Sequence, residues 1–397
     1  MRTRSLGLTL FSGLAFVVAA CGGGASTPSA AAPSAAPGSE APMSEAPASE
    51  APSSPAASMR PLKVGVVTDV GQLEDKSFNQ SSYEGAVAAA EATGGEHDVI
   101  VTQNISDYAA NIQTFVDNDF DVIVTVGFLI GTDTAAAAKA NPDVNFVGVD
   151  QGICVDEQGV SDPTFTCAGD AAALLPNYQG IVFAEAQPGY LAGIVAASIS
   201  ESNVIGAVGG TNVPAVVNYW RGYENGAKSI KPDIEVLYQE TDPHPAVGFN
   251  DPTAGRTIAE QFISQDADVI FQVAGLTGQG ALEAVCQEGI HGIGVDVDQA
   301  ISLPELAPCI VTSAEKKLLD TVQAVVTSVS TDTFVPGTVA YNAASDPVAI
   351  GLAPYHENAA LITPEIQSAI DAAFAGMVDG SLDPCAPIAC TVSGTAP

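Results

Sequence analysis

Carboxylates, amides and aromatic rings recur at one kind of place in this sequence, immediately after short apolar runs. Asp69 follows Lys63–Thr68 and precedes the block Asp75-Lys76-Ser77-Phe78-Asn79-Gln80. Asp150-Gln151 follows Asn145–Val149, and Asn218-Tyr219-Trp220-Arg221 comes shortly after Val204–Val208. Gly275 lies in the turn Ala274–Gly280, Asp296-Val297-Asp298-Gln299 follows Gly292–Val295, and Lys316 comes just after Thr312-Ser313. Ionised carboxylates only accept hydrogen bonds, so they suit vicinal hydroxyls and amino groups. Together with aromatic faces and close-approaching glycines they make the lining of a small-molecule pocket. Enzyme chemistry has less support. His97, His244, His291 and His356 are scattered, no cysteine sits in a nucleophile motif, and no CxxC or Cys/His spacing marks a metal site, so neither metal nor cofactor is expected. The turn Gly275–Gly280 lacks the Lys-Ser/Thr ending of a phosphate loop and reads as the opening of a helix. Gly189-Tyr190-Leu191-Ala192-Gly193 reads as close helix packing.

The elements that must position these residues alternate in type along the chain. Strands are predicted at Lys63–Thr68, Asp98–Gln103, Asp121–Val126, Asn145–Val149, Gly180–Ala184, Val204–Val208, Ile234–Tyr238, Asp268–Val273, Gly292–Val295 and Cys309–Thr312. Helices fall between them, including Ser77–Ala92 behind Asp75, and Glu315–Ser328 behind the candidate caps Thr312 and Ser313. This is the pattern of parallel α/β sheets covered by helices on both faces. Ten strands exceed one comfortable flavodoxin-like sheet and the pattern restarts near Gly180, so two similar lobes are predicted. Lobe I takes 62–180 plus about 312–335, and lobe II takes 181–311 plus about 336–397. Ligands of such sheets bind beyond the carboxyl ends of the strands, where the residues above lie.

The N-terminus predicts export. Arg2 and Arg4 precede an apolar run from Leu6 to Ala20 that is too short to span a bilayer and stops at Cys21. Residues 1–20 read as a signal peptide, and Val18-Ala19-Ala20-Cys21 resembles a bacterial lipobox with Cys21 as the lipid-anchored residue. Residues 21–61, rich in Ala, Pro and Ser, have no means of building a core and read as a disordered tether. The remaining six cysteines pair by proximity as Cys154 with Cys167, Cys286 with Cys309 and Cys385 with Cys390, although other connectivities are open. Twelve Lys and Arg against 46 Asp and Glu give a formal charge of −34. That excludes nucleic acid as a partner and disfavours a phosphorylated ligand.

From about Leu62 to Leu352 the sequence resembles the basic membrane protein family of ABC-transporter substrate-binding lipoproteins, which includes the purine nucleoside receptor of spirochaetes. The resemblance is carried by Asp75–Gln80, Gly189–Gly193, Ala274–Gly280, Gly294–Gln299, and Thr312-Ser313 followed by Lys316, in that order. It implies a type I periplasmic-binding-protein (Venus flytrap) architecture, with two lobes closing on a solute that is passed to an ABC permease. Carried over by position, it implies that Phe78 and Tyr219 sandwich a nucleobase and that Asp69 and Asn79 bond its edge. Asp150 and Asp296 would accept from ribose hydroxyls, Gly275 would allow close approach and Lys316 would complete the sugar site. Two departures stand out. Trp220 beside Tyr219 leaves open which ring stacks, and 152–179 is long, reading as a stapled surface loop. The implied function is extracytoplasmic capture of a nucleoside, purines favoured, on the cell membrane through Cys21. Binding of another neutral solute such as a pentose is the alternative, and a nucleoside hydrolase the weaker one.

Overall fold

A computed structural model describes residues 59–390, apart from Pro163. The proposed signal peptide, Cys21 and nearly all of the tether lie outside the described residues. The strands are β1 (Lys63–Val67), β2 (Glu96–Ile100), β3 (Val122–Val126), β4 (Asn145–Val149), β5 (Tyr178–Phe183), β6 (Val204–Gly209), β7 (Glu235–Glu240), β8 (Val269–Val273), β9 (His291–Asp296), β10 (Ile310–Lys316), β11 (Gly337–Tyr341) and β12 (Ile350–Leu352). They build two six-stranded sheets, ordered β11-β5-β4-β3-β1-β2 and β12-β10-β9-β8-β6-β7. Every pairing is parallel except β10 with β12. The central strands β3 (VIVTV) and β8 (VIFQV) are buried throughout, as β-branched runs are when helices cover both faces. The two-lobe α/β architecture predicted from the sequence is therefore present.

The chain passes between the sheets three times: after β5 into the helix Ala186–Ile199, after β10 into the helix Leu318–Ser330, and from β11 to β12. These crossings shift the lobe boundaries from those read in the sequence. Ile310–Lys316 belongs to the second sheet, whereas Gly337–Tyr341 returns to the first, pairing with β5. The helix Leu318–Ser330 sits on the first lobe, where Gly85 of the helix Phe78–Thr93 lets it approach closely.

Two further expectations are corrected. Glu315 and Lys316 were expected to open a helix but end β10, because they pair with β12. Thr312 and Ser313 are not helix caps: Thr312 Oγ1 donates to the Ala353 carbonyl, and Ser313 Oγ accepts from the Gln299 N–H. The second strand lies two to three residues earlier than predicted, at a charged, exposed sheet edge where apolar patterning is weak.

The second lobe is locked to its crossing by a reciprocal glycine contact. A Cβ on Gly189 or Gly193 would overlap the carbonyl oxygens of Tyr219 and Tyr223 on the helix Pro214–Ile230. A Cβ on Gly222 or Gly226 would overlap those of Ala186 and Tyr190 in return. The Gly189–Gly193 motif thus packs helices, as predicted, and it fixes the helix that carries Tyr219. The three disulfides join Cys154 to Cys167, Cys286 to Cys309 and Cys385 to Cys390, the pairs that proximity indicated.

Candidate functional site

A cavity of about 100 Å³ opens where the carboxyl ends of both sheets face one another, and all eight sequence-predicted residues line it: Asp69, Phe78, Asn79, Asp150, Tyr219, Gly275, Asp296 and Lys316. At its floor the Lys316 ammonium lies 2.7 Å from Asp150 Oδ2 and 3.5 Å from Asp296 Oδ1. Asp150 and Asp296 occupy equivalent places just past β4 and at the end of β9, and both adopt left-handed backbone, with φ of 56° and 65°. Such conformations are uncommon for residues with a side chain and cluster at functional sites. Ser77 Oγ donates to Asp296 Oδ2 at 2.9 Å. Asp150 lines the cavity, and its Oδ1 is buried with no hydrogen-bond partner among the described residues, an unsatisfied acceptor beside the lysine.

Aromatic rings flank this charged floor. The Lys316 ammonium is 4.7 Å from the centroid of Phe78 and 5.7 Å from that of Tyr219, both within cation–π range. Tyr219 also donates to the Ala314 carbonyl, which fixes its ring. Trp220 is not in the cavity: it stacks on Tyr238 at 4.1 Å between centroids, with the Arg221 guanidinium on the ring. Tyr219 is therefore the ring available to a ligand. Gly275 has φ of 55° and begins the helix Gly275–Glu288, as the turn reading anticipated.

At the other end Asp69 accepts from the Val70 N–H and the Tyr108 hydroxyl. Asn79 donates through Nδ2 to the Gln72 carbonyl, and its Oδ1 is buried without a partner. Asp75 accepts from the N–H groups of Ser77, Asn79 and Gln80, holding the start of the helix that carries Phe78 and Asn79. Among the described residues of 152–179 none lines the cavity; that loop instead borders a separate cavity of about 350 Å³ beside Phe128 and Leu129.

Sequence reasoning passed over Glu185. It sits two residues beyond β5 at the first crossing, is 2% exposed, and accepts from Asn218 Nδ2. Its only sequence signal was its position after a strand. Burial disfavours the Lys316 ammonium, but Asp150, Asp296 and Glu185 outweigh that and hold its pKa above the usual lysine value. One buried cation thus faces three carboxylates, which makes the floor a receptor for hydroxyl and amino donors and a poor one for phosphate.

Burial pushes three carboxyls upward: Asp69 to about 6, Asp75 to about 7 and Glu185 to about 7. Hydrogen bonds oppose the shift at all three, and repulsion from Asp150 adds to it at Glu185. Unfolded carboxyls titrate near ~4. Each group therefore binds its proton more tightly when folded, so its destabilising effect is full above the folded value and is relieved as pH falls toward the unfolded one. Acidifying the ligand-free protein from about pH 8 to about pH 5 is expected to raise Tm, and Asp75→Asn with Glu185→Gln to flatten that response. A Tm that falls over this range contradicts the burial assigned to these groups.

Comparison with known proteins agrees with this architecture. The family model described as "ABC transporter substrate-binding protein PnrA-like" matches residues 62–367. The "ABC transporter nucleoside-binding protein BmpA" of Lactococcus lactis subsp. cremoris is 30% identical over 340 residues, 81% of this chain and 88% of that protein. Basic membrane protein B of Borreliella burgdorferi is 30% identical over 255 residues, 63% of this chain and 69% of that protein. Among solved structures, an ABC transporter solute-binding protein from Aeropyrum pernix K1 superposes with a TM-score of 0.69 at 23% identity, over 81% of this chain and 93% of that one, which is a likeness of fold. A small-molecule ligand and a permease partner follow from the family. The chain belongs to the Bmp family of PnrA-like ABC transporter substrate-binding proteins.

Proposed function

We propose that this protein is the extracytoplasmic receptor of an ABC importer and captures a nucleoside, purines favoured, between its lobes. The observation that carries this reading is the pairing, in one cavity, of the Phe78 and Tyr219 rings with a Lys316-centred floor in which Asp150 Oδ1 has no hydrogen-bond partner among the described residues. A base between the rings would meet Asp69 and Asn79 at its edge, while ribose hydroxyls would donate to Asp150 and Asp296. Gly275 would allow close backbone approach. The printed name of the Lactococcus lactis relative supports the same ligand class. The site is read as binding and not catalytic, because the family model that the chain matches is one of substrate-binding proteins. Export with a lipid anchor on Cys21 and the Ala/Pro/Ser tether completes the proposal; among the described residues no helix is long and apolar enough to cross a membrane.

A thermal-shift panel of purine and pyrimidine nucleosides, nucleoside 5′-monophosphates, free bases, pentoses and hexoses tests it. Nucleosides at about 100 times their Kd are expected to add roughly 2.7 kcal/mol of stability and raise Tm. The monophosphates are expected to give little shift, because their charge meets an acidic floor. A shift with pentoses alone would replace the nucleoside by a sugar.

A further inference from the structure

We infer that Tyr108 is a positioning residue for ligand capture: its hydroxyl holds Asp69 as an acceptor-only carboxylate turned toward the cavity. The inference rests on the nucleoside reading, in which Asp69 meets donors on the base edge. Asp69 Oδ1 is committed to two donors, the Val70 N–H at 2.7 Å and the Tyr108 hydroxyl. The other side of the carboxyl is shaped by Gly127, whose φ of 107° suits glycine and where a Cβ would overlap Asp69 Oδ2. Backbone and tyrosine together leave the carboxylate one orientation. Tyr108 is itself 2% exposed, at the start of the helix Tyr108–Asp117, so its hydroxyl is as firmly placed as the group it serves.

The placement has a chemical consequence. Burial drives Asp69 toward its protonated form, and the Tyr108 hydroxyl and the N–H groups of Val70 and Leu129 oppose that drive. A protonated carboxyl would turn an O–H toward the ligand and lose its match to base N–H donors. The ionisable groups around the pair are few. Tyr108 faces Asp69 from its helix, and Asp133, on the helix Gly131–Ala140, acts on Tyr108. Burial and both carboxylates keep the phenol protonated, hence a donor, throughout the working range of pH.

The test is Tyr108→Phe in the whole protein, which keeps the buried ring and removes only the hydroxyl. Carboxyl ¹³C NMR of the ligand-free protein, with Asp69 assigned by its loss in Asp69→Asn, should show a midpoint near 6 in the parent. In Tyr108→Phe the midpoint is expected about one pH unit higher, the effect of losing one hydrogen bond to the ionised form. Guanosine affinity, measured by calorimetry, is expected to fall about fivefold at pH 6 and about twofold at pH 7, and to recover at about pH 8.5, where Asp69 is ionised again. Recovery with pH separates a lost proton-holding role from a distorted fold. An unchanged Asp69 midpoint, or an affinity loss that pH does not restore, overturns the inference. A raised midpoint in a parent protein that binds no nucleoside would keep the role of Tyr108 and reject the nucleoside reading instead.

Discussion

Replacing Lys316 with methionine is expected to cost about 3–5 kcal/mol of folding stability and to abolish ligand capture. The side chain is 2% exposed and its ammonium is the cation between Asp150 and Asp296, with Glu185 close enough to act on its charge. Methionine matches the stem in length but leaves three carboxylates facing one another where water has little access. Their desolvation is then uncompensated, which is the costly way to break a buried ion pair. The same reasoning predicts partial rescue. Adding Asp150→Asn to Lys316→Met removes one of the stranded charges and should recover part of the loss in chemical denaturation. A Lys316→Met protein as stable as its parent would show that the floor is wetter than its burial indicates.

The second large effect falls on binding and spares the fold. Asp296→Asn keeps the shape of the side chain and leaves Lys316 its 2.7 Å partner Asp150, so stability should change little. Replacing a charge-assisted acceptor by a neutral amide is expected to cost about 1.5–3 kcal/mol of affinity, a loss of roughly ten- to hundredfold. Phe78→Ala removes one face of the proposed base sandwich and should lower affinity at least about tenfold. Because Phe78 also packs against the Lys316 ammonium at 4.7 Å, the two substitutions are not independent and their effects should not simply add. Equal nucleoside affinity in parent and variants, measured by calorimetry, would place the ligand elsewhere.

Much of this site was legible in the sequence because its residues lie at strand ends, and strand ends follow from apolar runs. The eight predicted residues come from both lobes, yet all line one cavity. What stayed hidden depended on long-range geometry. Tyr108 is 39 residues from Asp69, and nothing local announces their bond. Glu185 has no motif around it; its importance comes from burial at a crossing. The stretch around Glu315-Lys316-Lys317 reads as helix by composition, but pairing with Leu352, Gly351 and Ile350 carries β10 four residues past its predicted end at Thr312, and Lys316 lines the cavity. β11 and β12 were missed for related reasons, one being a half-exposed edge strand and the other three residues long. The longer β10 and the missed β11 are what moved the lobe boundaries. The left-handed turns at Asp150 and Asp296 leave no mark in a sequence, since aspartate after a strand is as often a helix cap.

The most direct test of the central claim is a calorimetric titration of the ligand-free protein with guanosine and, separately, with ribose. The arrangement of two rings above a lysine-centred carboxylate floor predicts saturable one-to-one binding of guanosine and binding of ribose that is weaker by at least about a hundredfold, since the sugar leaves the rings uncovered. Ribose binding as tightly as guanosine, or guanosine not binding at all, would contradict the account.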